Sequence, residues 1–292
     1  MNKIVLLLLV IGVVFIAGCI GQPEGEIKGV TIGVIIKSFA PDISEIFSGD
    51  PVTFSLSVEN VGEEDATTVE AALFGLGTDW NWDKTAQSIG DLSKSQPQYK
   101  IPGGTGDVQW DATSPEDLKV DNIYTVGVRV TYGYKTTAYG TLKVYNSDYL
   151  RTKPEEAENI MKSSGIATFS TTKAPITISL AGVARPLIYR ELGQKSTITI
   201  QIGDMGPGDP YTDKISDMLI TIDDITVDQE SCENQEFPMT GVKIPRTGQK
   251  SISCKFSLPE VSEFTTIPIE VELSYNYFLD GSTTVKVLKE IV

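Results

Sequence analysis

Side chains that could carry out acid–base or nucleophilic chemistry are scarce in this sequence. Its 292 residues include no histidine, the commonest general base near neutral pH and the commonest transition-metal ligand. Ser170 and Lys173 have the Ser-x-x-Lys spacing of serine acyltransferases, in which the lysine activates the hydroxyl. That chemistry needs a helix and further motifs in an α/β domain, whereas Ser170 lies in a threonine-rich stretch. We therefore expect no catalytic residue, no cofactor and no enzymatic activity.

The second chemical feature is a pair of cysteines, Cys232 and Cys254, whose positions differ by 22. Outside the cytoplasm such a pair predicts a disulfide, which would stabilise the fold by about 3 kcal/mol through loop closure. The alternative is two unpaired thiols on different strands. A zinc site is not expected, because two thiolates without histidine would leave the remaining positions to carboxylates.

The third cysteine, Cys19, lies at the end of the first apolar run. Lys3 precedes an uncharged stretch from Ile4 to Gly21, which is typical of a secretory signal and barely long enough to span a bilayer. This run could belong to an ordinary signal peptide, with secretion and with Cys19 incidental, or it could remain as an uncleaved membrane anchor.

The end of this run, Phe15-Ile-Ala-Gly-Cys19, resembles the lipobox of prokaryotic lipoproteins. In that family two small residues precede a cysteine that is lipidated and becomes the mature N-terminus; Ile16 stands where leucine or valine is preferred. The resemblance implies a signal peptide over residues 1–18, lipidation of Cys19 and a polar tether over 19–26. It also implies a lipid-anchored protein on the outer face of the cytoplasmic membrane.

A polar loop with two tryptophans, Gly77-Thr-Asp79-Trp80-Asn-Trp82-Asp83, is the best candidate for ligand contact. Indoles flanked by Asp79 and Asp83 provide flat apolar area with polar edges, as sugar- or protein-binding loops do. The alternative is that Trp80 and Trp82 fold back over an open end of the domain. Acidic groups such as Glu63-Glu64-Asp65 could contribute to a calcium site, but they lack the spacing of a calcium loop. We therefore interpret them as a solvated surface and predict no metal site.

Charge limits the class of partner. The formal net charge is −15, and removal of the signal with Lys3 makes it more negative still. Such a surface repels phosphate backbones and anionic headgroups, so we expect no nucleic-acid partner and no electrostatic membrane docking. The expected partners are the membrane, through the lipid, and an envelope protein or glycan.

An internal repeat organises the chain after the tether. The segment Val128–Val144 aligns without a gap on Val271–Val287, at an offset of 143, and brings Tyr132 and Tyr134 onto Tyr275 and Tyr277. Upstream the offset is 144, and the alternating strand of Phe54, Leu56 and Val58 corresponds to that of Ile198, Ile200 and Ile202. At this offset Cys254 takes the position of Trp110. The turns Asn60-Val-Gly62 and Asp204-Met-Gly206 also coincide, and we attribute their residue types to the dihedral angles a turn needs.

These observations predict an all-β protein with two tandem Ig-like antiparallel β-sandwich domains, over residues 27–145 and 175–292. Each copy is expected to end in a hairpin, with strands near 122–133 and 137–145 in the first and near 265–278 and 282–290 in the second. Asp280-Gly281 is the turn signal of the second hairpin. The linker, 146–174, is predicted to contain a short helix that begins at Pro154. It either fixes the angle between the domains or acts as a hinge.

The stretch Gly49-Asp-Pro-Val-Thr-Phe-Ser-Leu-Ser-Val-Glu-Asn-Val-Gly-Glu63, followed by Ala66–Leu73, resembles the CARDB family of cell-adhesion-related sandwich domains. The resemblance covers some 40 residues of the first copy and is fainter in the second, where Asp204 replaces the asparagine. It implies a prokaryotic surface lipoprotein, with an archaeal source favoured, and an adhesive or structural role without catalytic residues. The expected function is adhesion or protein/glycan interaction. The alternatives are a subunit of a surface layer or filament and an accessory subunit of an envelope complex.

Overall fold

The computed structural model describes residues 32–82, 86–223, 225–227, 231–233, 243–244 and 249–289. It confirms the all-β class. The strands of the first copy are β1 (Val34–Pro41), β2 (Glu45–Phe47), β3 (Pro51–Asn60), β4 (Ala66–Phe74), β5 (Asn81–Trp82), β6 (Gln87–Leu92), β7 (Thr105–Thr113) and β8 (Asn122–Asn146), with a 3₁₀ turn at Pro97–Tyr99.

Two helices and nine further strands follow. The helices are α1 (Ser147–Thr152) and α2 (Pro154–Lys162), and α2 begins at the proline from which the sequence predicts a helix. The strands are β9 (Ile166–Thr171), β10 (Ile176–Ala181), β11 (Leu187–Tyr189), β12 (Lys195–Asp204), β13 (Asp209–Ile222), β14 (Ile225–Thr226), β15 (Cys232–Glu233), β16 (Gln249–Ser257) and β17 (Phe264–Leu288).

The described strands form three sheets. Each copy has a four-stranded sheet of its own, in the order β1-β3-β7-β5 in the first and β10-β12-β16-β15 in the second. The third sheet has nine strands and is shared: its main path runs β14-β13-β17-β8-β4-β6, and β2, β9 and β11 pair with the two central strands. One hydrophobic core, built from alternate residues of all three sheets, joins the copies.

Strand pairing within the four-stranded sheets reproduces the repeat. Phe54 on β3 lies opposite Trp110 on β7, and Ile198 on β12 lies opposite Cys254 on β16. All four side chains are at most 2 % exposed. Cys254 therefore occupies the buried position that the larger Trp110 has in the first copy, as the offset predicts.

The predicted hairpins at the end of each copy are wrong, because β8 and β17 are continuous strands of 25 residues. Their inward-facing alternation has no break at the expected turns, and Tyr134-Lys135-Thr136 contains none of the residues that favour a tight turn. Asp280 is extended opposite Arg129, and Gly281 leaves room for Ile36, whose Cδ1 is 2.8 Å from where a Cβ would stand. Tertiary contacts thus override the Asp-Gly turn signal.

β8 and β17 pair with each other along almost their whole length, and we call this pair the central ribbon. The first part of β8 lies beside β4 of the first copy, and the second part of β8 lies beside β9 and β11. The end of β17 lies beside β2 of the first copy. The last strand of each copy therefore completes the sheet of the other, which is a strand exchange within one chain.

The ribbon has pseudo-two-fold symmetry. Gly133 pairs with Asn276, which is its own equivalent at an offset of 143. The flanking pairs are Tyr132 with Tyr277 and Tyr134 with Tyr275, so each tyrosine has its equivalent in the other pair. The axis that relates the two copies consequently passes between Gly133 and Asn276.

Candidate binding site at the pseudo-two-fold axis

Four buried tyrosines surround the axis, and the second of each copy holds a turn in place. The Tyr134 hydroxyl donates to Asn60 Oδ1 over 3.2 Å, and the Tyr277 hydroxyl donates to Asp204 Oδ1 over 2.9 Å. The same hydroxyls accept from the backbone N–H groups of Glu64, at 3.4 Å, and Gly208, at 3.2 Å. These hydrogen bonds are equivalent under the repeat, so the same arrangement holds the corresponding loop of each copy in place.

The glycines of the two turns are explained by this close approach and not by dihedral angles, which corrects our expectation. Neither Gly62 nor Gly206 has a positive φ. A Cβ on Gly62 would collide with the hydroxyl of Tyr134, and one on Gly206 would collide with that of Tyr277 and stand 2.8 Å from Pro175 Cβ. Glycine is therefore needed so that each tyrosine can reach its turn.

The two anchors differ in charge. Burial raises the pKa of Asp204, whereas hydrogen bonds from the Gly206 N–H and the Tyr277 hydroxyl lower it. Burial also raises the pKa of Tyr134 and Tyr277, so both hydroxyls keep their protons and donate. In the first copy the Tyr134 hydroxyl donates to the neutral side chain of Asn60. In the second copy Asp204 is a carboxylate, and the hydrogen bonds from the Tyr277 hydroxyl and the Gly206 N–H stabilise its charge.

Both strands that flank the central ribbon lose their pairing near the axis. On β4 the register shifts between Thr67 and Glu70, and on β13 it shifts between Pro210 and Ile215. Thr68 and Thr212 have left-handed φ values of 49° and 70°. Bulges of this kind re-aim side chains and are enriched next to functional sites.

The bulges lie beside a cavity of about 450 Å³, which we call the axial cavity. Gly133, Tyr134 and Tyr275 contribute to its wall, and the other lining residues are polar: Glu64, Asp65, Thr67, Lys135, Ser216, Ser274 and Asn276. Lys135 is paired with Glu272 at 2.8 Å. Burial raises the pKa of Glu64, an effect that the nearby Lys94 opposes. The cavity thus combines hydroxyl, amide and carboxylate groups and could hold a small polar ligand.

Sequence reasoning did not find this cavity, because its lining comes from loops and strands of both copies. Glu64 and Ser216 are far apart in the chain and meet only through the strand exchange. The available signal was the repeated Tyr-x-Tyr on both copies, which marks the centre of the ribbon. Nothing in the repeat alone showed that these centres coincide.

The predicted tryptophan loop is folded onto the protein. Trp80 is 4 % exposed and packs edge-on against Tyr124, with ring centroids 5.2 Å apart. Trp82 lies on β5 opposite Ala112 and packs against the core. Asp79 is exposed, and Asp83 lies outside the described residues. Trp80 and Trp82 are thus folded back onto the protein, which is the alternative given above, and they do not form an exposed binding surface, because burial of large apolar rings is favourable.

The disulfide between Cys232 and Cys254 is confirmed. The two residues are direct partners on β15 and β16, and the bond therefore joins neighbouring strands of one sheet. Cys19 and the predicted signal and tether lie outside the described residues. In the part of the chain that the structure describes, no helix is long and apolar enough to span a membrane, and no group of three or more potential metal ligands occurs.

Comparisons with known proteins identify neither a family nor a function for this chain. No protein-family model and no curated protein match the sequence. A protein of unknown function from Porphyromonas gingivalis is 12% identical with a TM-score of 0.22, over 77% of this chain and 83% of that one.

Two adhesion-related structures show a similarly low resemblance. The collagen-binding domain of the Erysipelothrix rhusiopathiae surface protein RspB is 9% identical with a TM-score of 0.15, over 88% of this chain and 97% of that one. The CupB6 tip adhesin of Pseudomonas aeruginosa is 9% identical with a TM-score of 0.17, over 90% and 97%. Scores at this level establish neither fold nor function.

Proposed function

We propose that this chain is a lipid-anchored protein on the outer face of the cytoplasmic membrane, where it presents two CARDB-like, Ig-like sandwiches as a non-enzymatic binding scaffold. Its task is adhesion or interaction with an envelope protein or glycan. Phe15–Cys19 supplies the anchor signal, and residues 19–26 supply the tether.

The observation that carries the proposal is the buried disulfide. Disulfides persist in oxidising compartments and are rare in the cytosol. Because Cys232 and Cys254 are paired with each other in a sheet, Cys19 remains as the cysteine outside the folded repeat. This assignment fits an extracytoplasmic protein whose remaining thiol is modified before folding.

The central ribbon supports a scaffold role. It joins the two copies by backbone hydrogen bonds from the Phe264–Tyr145 pair to the Val287–Asn122 pair. Linker residues are held as well, since the Lys173 N–H donates to Glu63 Oε2 over 3.0 Å and the Glu63 N–H donates to the Lys173 carbonyl over 3.1 Å. A scaffold ordered in this way presents its binding surfaces without an ordering penalty on association.

The anchor is tested by the intact mass of the membrane-extracted protein and by its partition between membrane and medium. We expect lipid mass on the wild type, and loss of that mass with release into the medium for Cys19→Ser. Gly21→Ser is the matched control, because it changes a nearby small residue and leaves the lipobox intact. Membrane retention of Cys19→Ser, or a wild type without lipid, would refute the anchor.

A second candidate, a subunit of a surface layer or filament, is favoured by one edge of the ribbon. β9 covers residues 138–142 of β8, but the equivalent edge of β17, at 281–285, has no partner strand among the described residues. Such an edge can accept a strand from a neighbouring copy. Analytical ultracentrifugation at high protein concentration decides: concentration-dependent assembly supports this candidate, and a stable monomer contradicts it.

A further inference from the structure

We propose that the axial cavity and the aromatic cluster beside it form a binding site for a neutral carbohydrate. The aromatic cluster consists of Phe74, Tyr211 and Phe278. This inference names the ligand class for the proposed function and rests on it. It is carried by three properties of the site: unpaired polar groups, exposed aromatic rings and the sign of the charge.

The cavity contains donors and acceptors that no described residue uses. The Asn276 amide and the hydroxyls of Ser216 and Ser274 make no side-chain hydrogen bond to described residues, and neither does the carboxyl group of Glu64. Sugar hydroxyls both donate and accept hydrogen bonds, and so do the amide and hydroxyl side chains of the cavity. The cavity volume of about 450 Å³ lies within the range of small-molecule sites.

The aromatic cluster continues from the cavity along the same face of β17. Phe278 is two residues beyond Asn276, which places it roughly 7 Å further along the strand. Tyr211 emerges from the β13 bulge and meets the Phe278 ring edge-on at 6.3 Å. Tyr211 is 46% exposed and Phe74 is 45% exposed.

Arg129 fixes the cluster from within the ribbon. Its guanidinium lies over the Phe278 ring at 4.1 Å and makes two hydrogen bonds to Asp280, of 2.8 and 2.7 Å. These contacts hold the guanidinium in place, so Arg129 orients Phe278, and its charge is balanced by Asp280. A sugar ring has an apolar C–H face and a polar rim, which fits aromatic rings beside a polar cavity.

The charge of the site selects among sugars. Glu64 and Asp65 line the cavity, Lys135 in its wall is neutralised by Glu272, and Lys94 lies close enough to Glu64 to lower its pKa. The two lining carboxylates and Lys94 leave a net negative charge beside the cavity, which would repel an acidic sugar or a phosphate and not a neutral sugar. The site therefore fits a neutral glycan.

The test measures binding of the full chain, in detergent micelles, to defined tetrasaccharides. The neutral probes are oligomers of glucose, mannose, galactose and N-acetylglucosamine, and the acidic probe is an oligomer of galacturonic acid. We expect at least one neutral tetrasaccharide to bind and the acidic one not to bind. Absence of binding to all neutral probes, or preference for the acidic probe, would overturn the inference.

Two variants locate the site. Asn276→Ala removes two hydrogen-bonding groups, and Tyr211→Ala removes a half-exposed ring, so each is expected to weaken binding about tenfold. Gln109→Ala, on the exposed face of β7, is the matched control and should bind as the wild type does. Near-UV circular dichroism verifies folding. Wild-type affinity in both folded variants would refute the location.

The outcomes separate this inference from the proposed function. A protein that binds the neutral probe but carries no lipid contradicts the anchor and leaves the carbohydrate site intact. A lipidated protein that binds none of the neutral probes overturns only the carbohydrate site.

Discussion

The two tyrosine anchors allow a matched measurement, because the same hydroxyl can be removed from a neutral and from a charged environment. Tyr134→Phe removes a donor from Asn60, and Tyr277→Phe removes a donor from Asp204. A neutral hydrogen bond contributes about 0.5–1.5 kcal/mol and one to a charged group about 1.5–3 kcal/mol. Since Asp204 is only partly buried, we expect about 1 kcal/mol of lost unfolding free energy for Tyr134→Phe and about 2 kcal/mol for Tyr277→Phe near neutral pH.

The pH dependence gives the sharper distinction. The folded-state pKa of Asp204 is raised by burial, so the folded state holds this proton more tightly than the unfolded state does. Its contribution to stability is present at low pH and is lost as the pH rises through the folded pKa. Removal of the Tyr277 hydroxyl raises that pKa further. The deficit of Tyr277→Phe should therefore shrink as the pH falls from about 7 to about 4, whereas that of Tyr134→Phe should stay constant, because Asn60 does not titrate.

The assay is urea unfolding followed by tryptophan fluorescence, for the wild type and both variants across this pH range. Tyr99→Phe is the matched control: its ring is 70% exposed, and we expect a change within about 0.5 kcal/mol. Deficits of Tyr134→Phe and Tyr277→Phe that are equal and run parallel with pH would refute the reasoning.

Three further predictions concern the repeat, the ribbon and the disulfide. Gly206→Ala should destabilise by about 2 kcal/mol, and adding Tyr277→Phe should restore part of the loss, because it removes the hydroxyl that lies closest to the new Cβ; fully additive losses in urea unfolding would contradict this. Thr125→Cys combined with Thr284→Cys should form a disulfide within one chain, because the two positions face each other only across the ribbon; two free thiols after oxidation, counted by mass after alkylation, would argue for separate hairpins. A reductant should lower the stability of the wild type by about 3 kcal/mol and leave that of Cys254→Val unchanged, and an equal response of the two melting curves would show that the disulfide has no stabilising role.

Much of the local register could be predicted from the sequence. The alternation of Phe54, Leu56 and Val58, repeated at an offset of 144, is enough to indicate the strand and its buried face. The same offset identifies Cys254 as the equivalent of Trp110. Both inferences depend on period-two patterning, which belongs to a strand itself and needs no knowledge of its neighbours.

The connection of strands was the part that the sequence did not reveal. Asp280-Gly281 has the composition of a hairpin turn, yet it is extended, because Asp280 binds Arg129 of the other copy and Gly281 accommodates Ile36. An intact hairpin and an exchanged strand bury the same residues against equivalent neighbours. Patterning is identical in the two cases, so only long-range packing distinguishes them.

The candidate site, like the fold, could be predicted from the sequence only in part. The sequence by itself determined which residues face inward and where the repeat lies, because periodicity encodes these properties locally, and it indicated Cys232 and Cys254 as disulfide partners through their number and the expected compartment. Tertiary structure alone decided that Gly133 meets Asn276 on the axis, that Trp80 is buried against Tyr124, and that Glu64 and Ser216 line one cavity. These are contacts between segments distant in the chain, and they exist only when the last strand of each copy completes the sheet of the other.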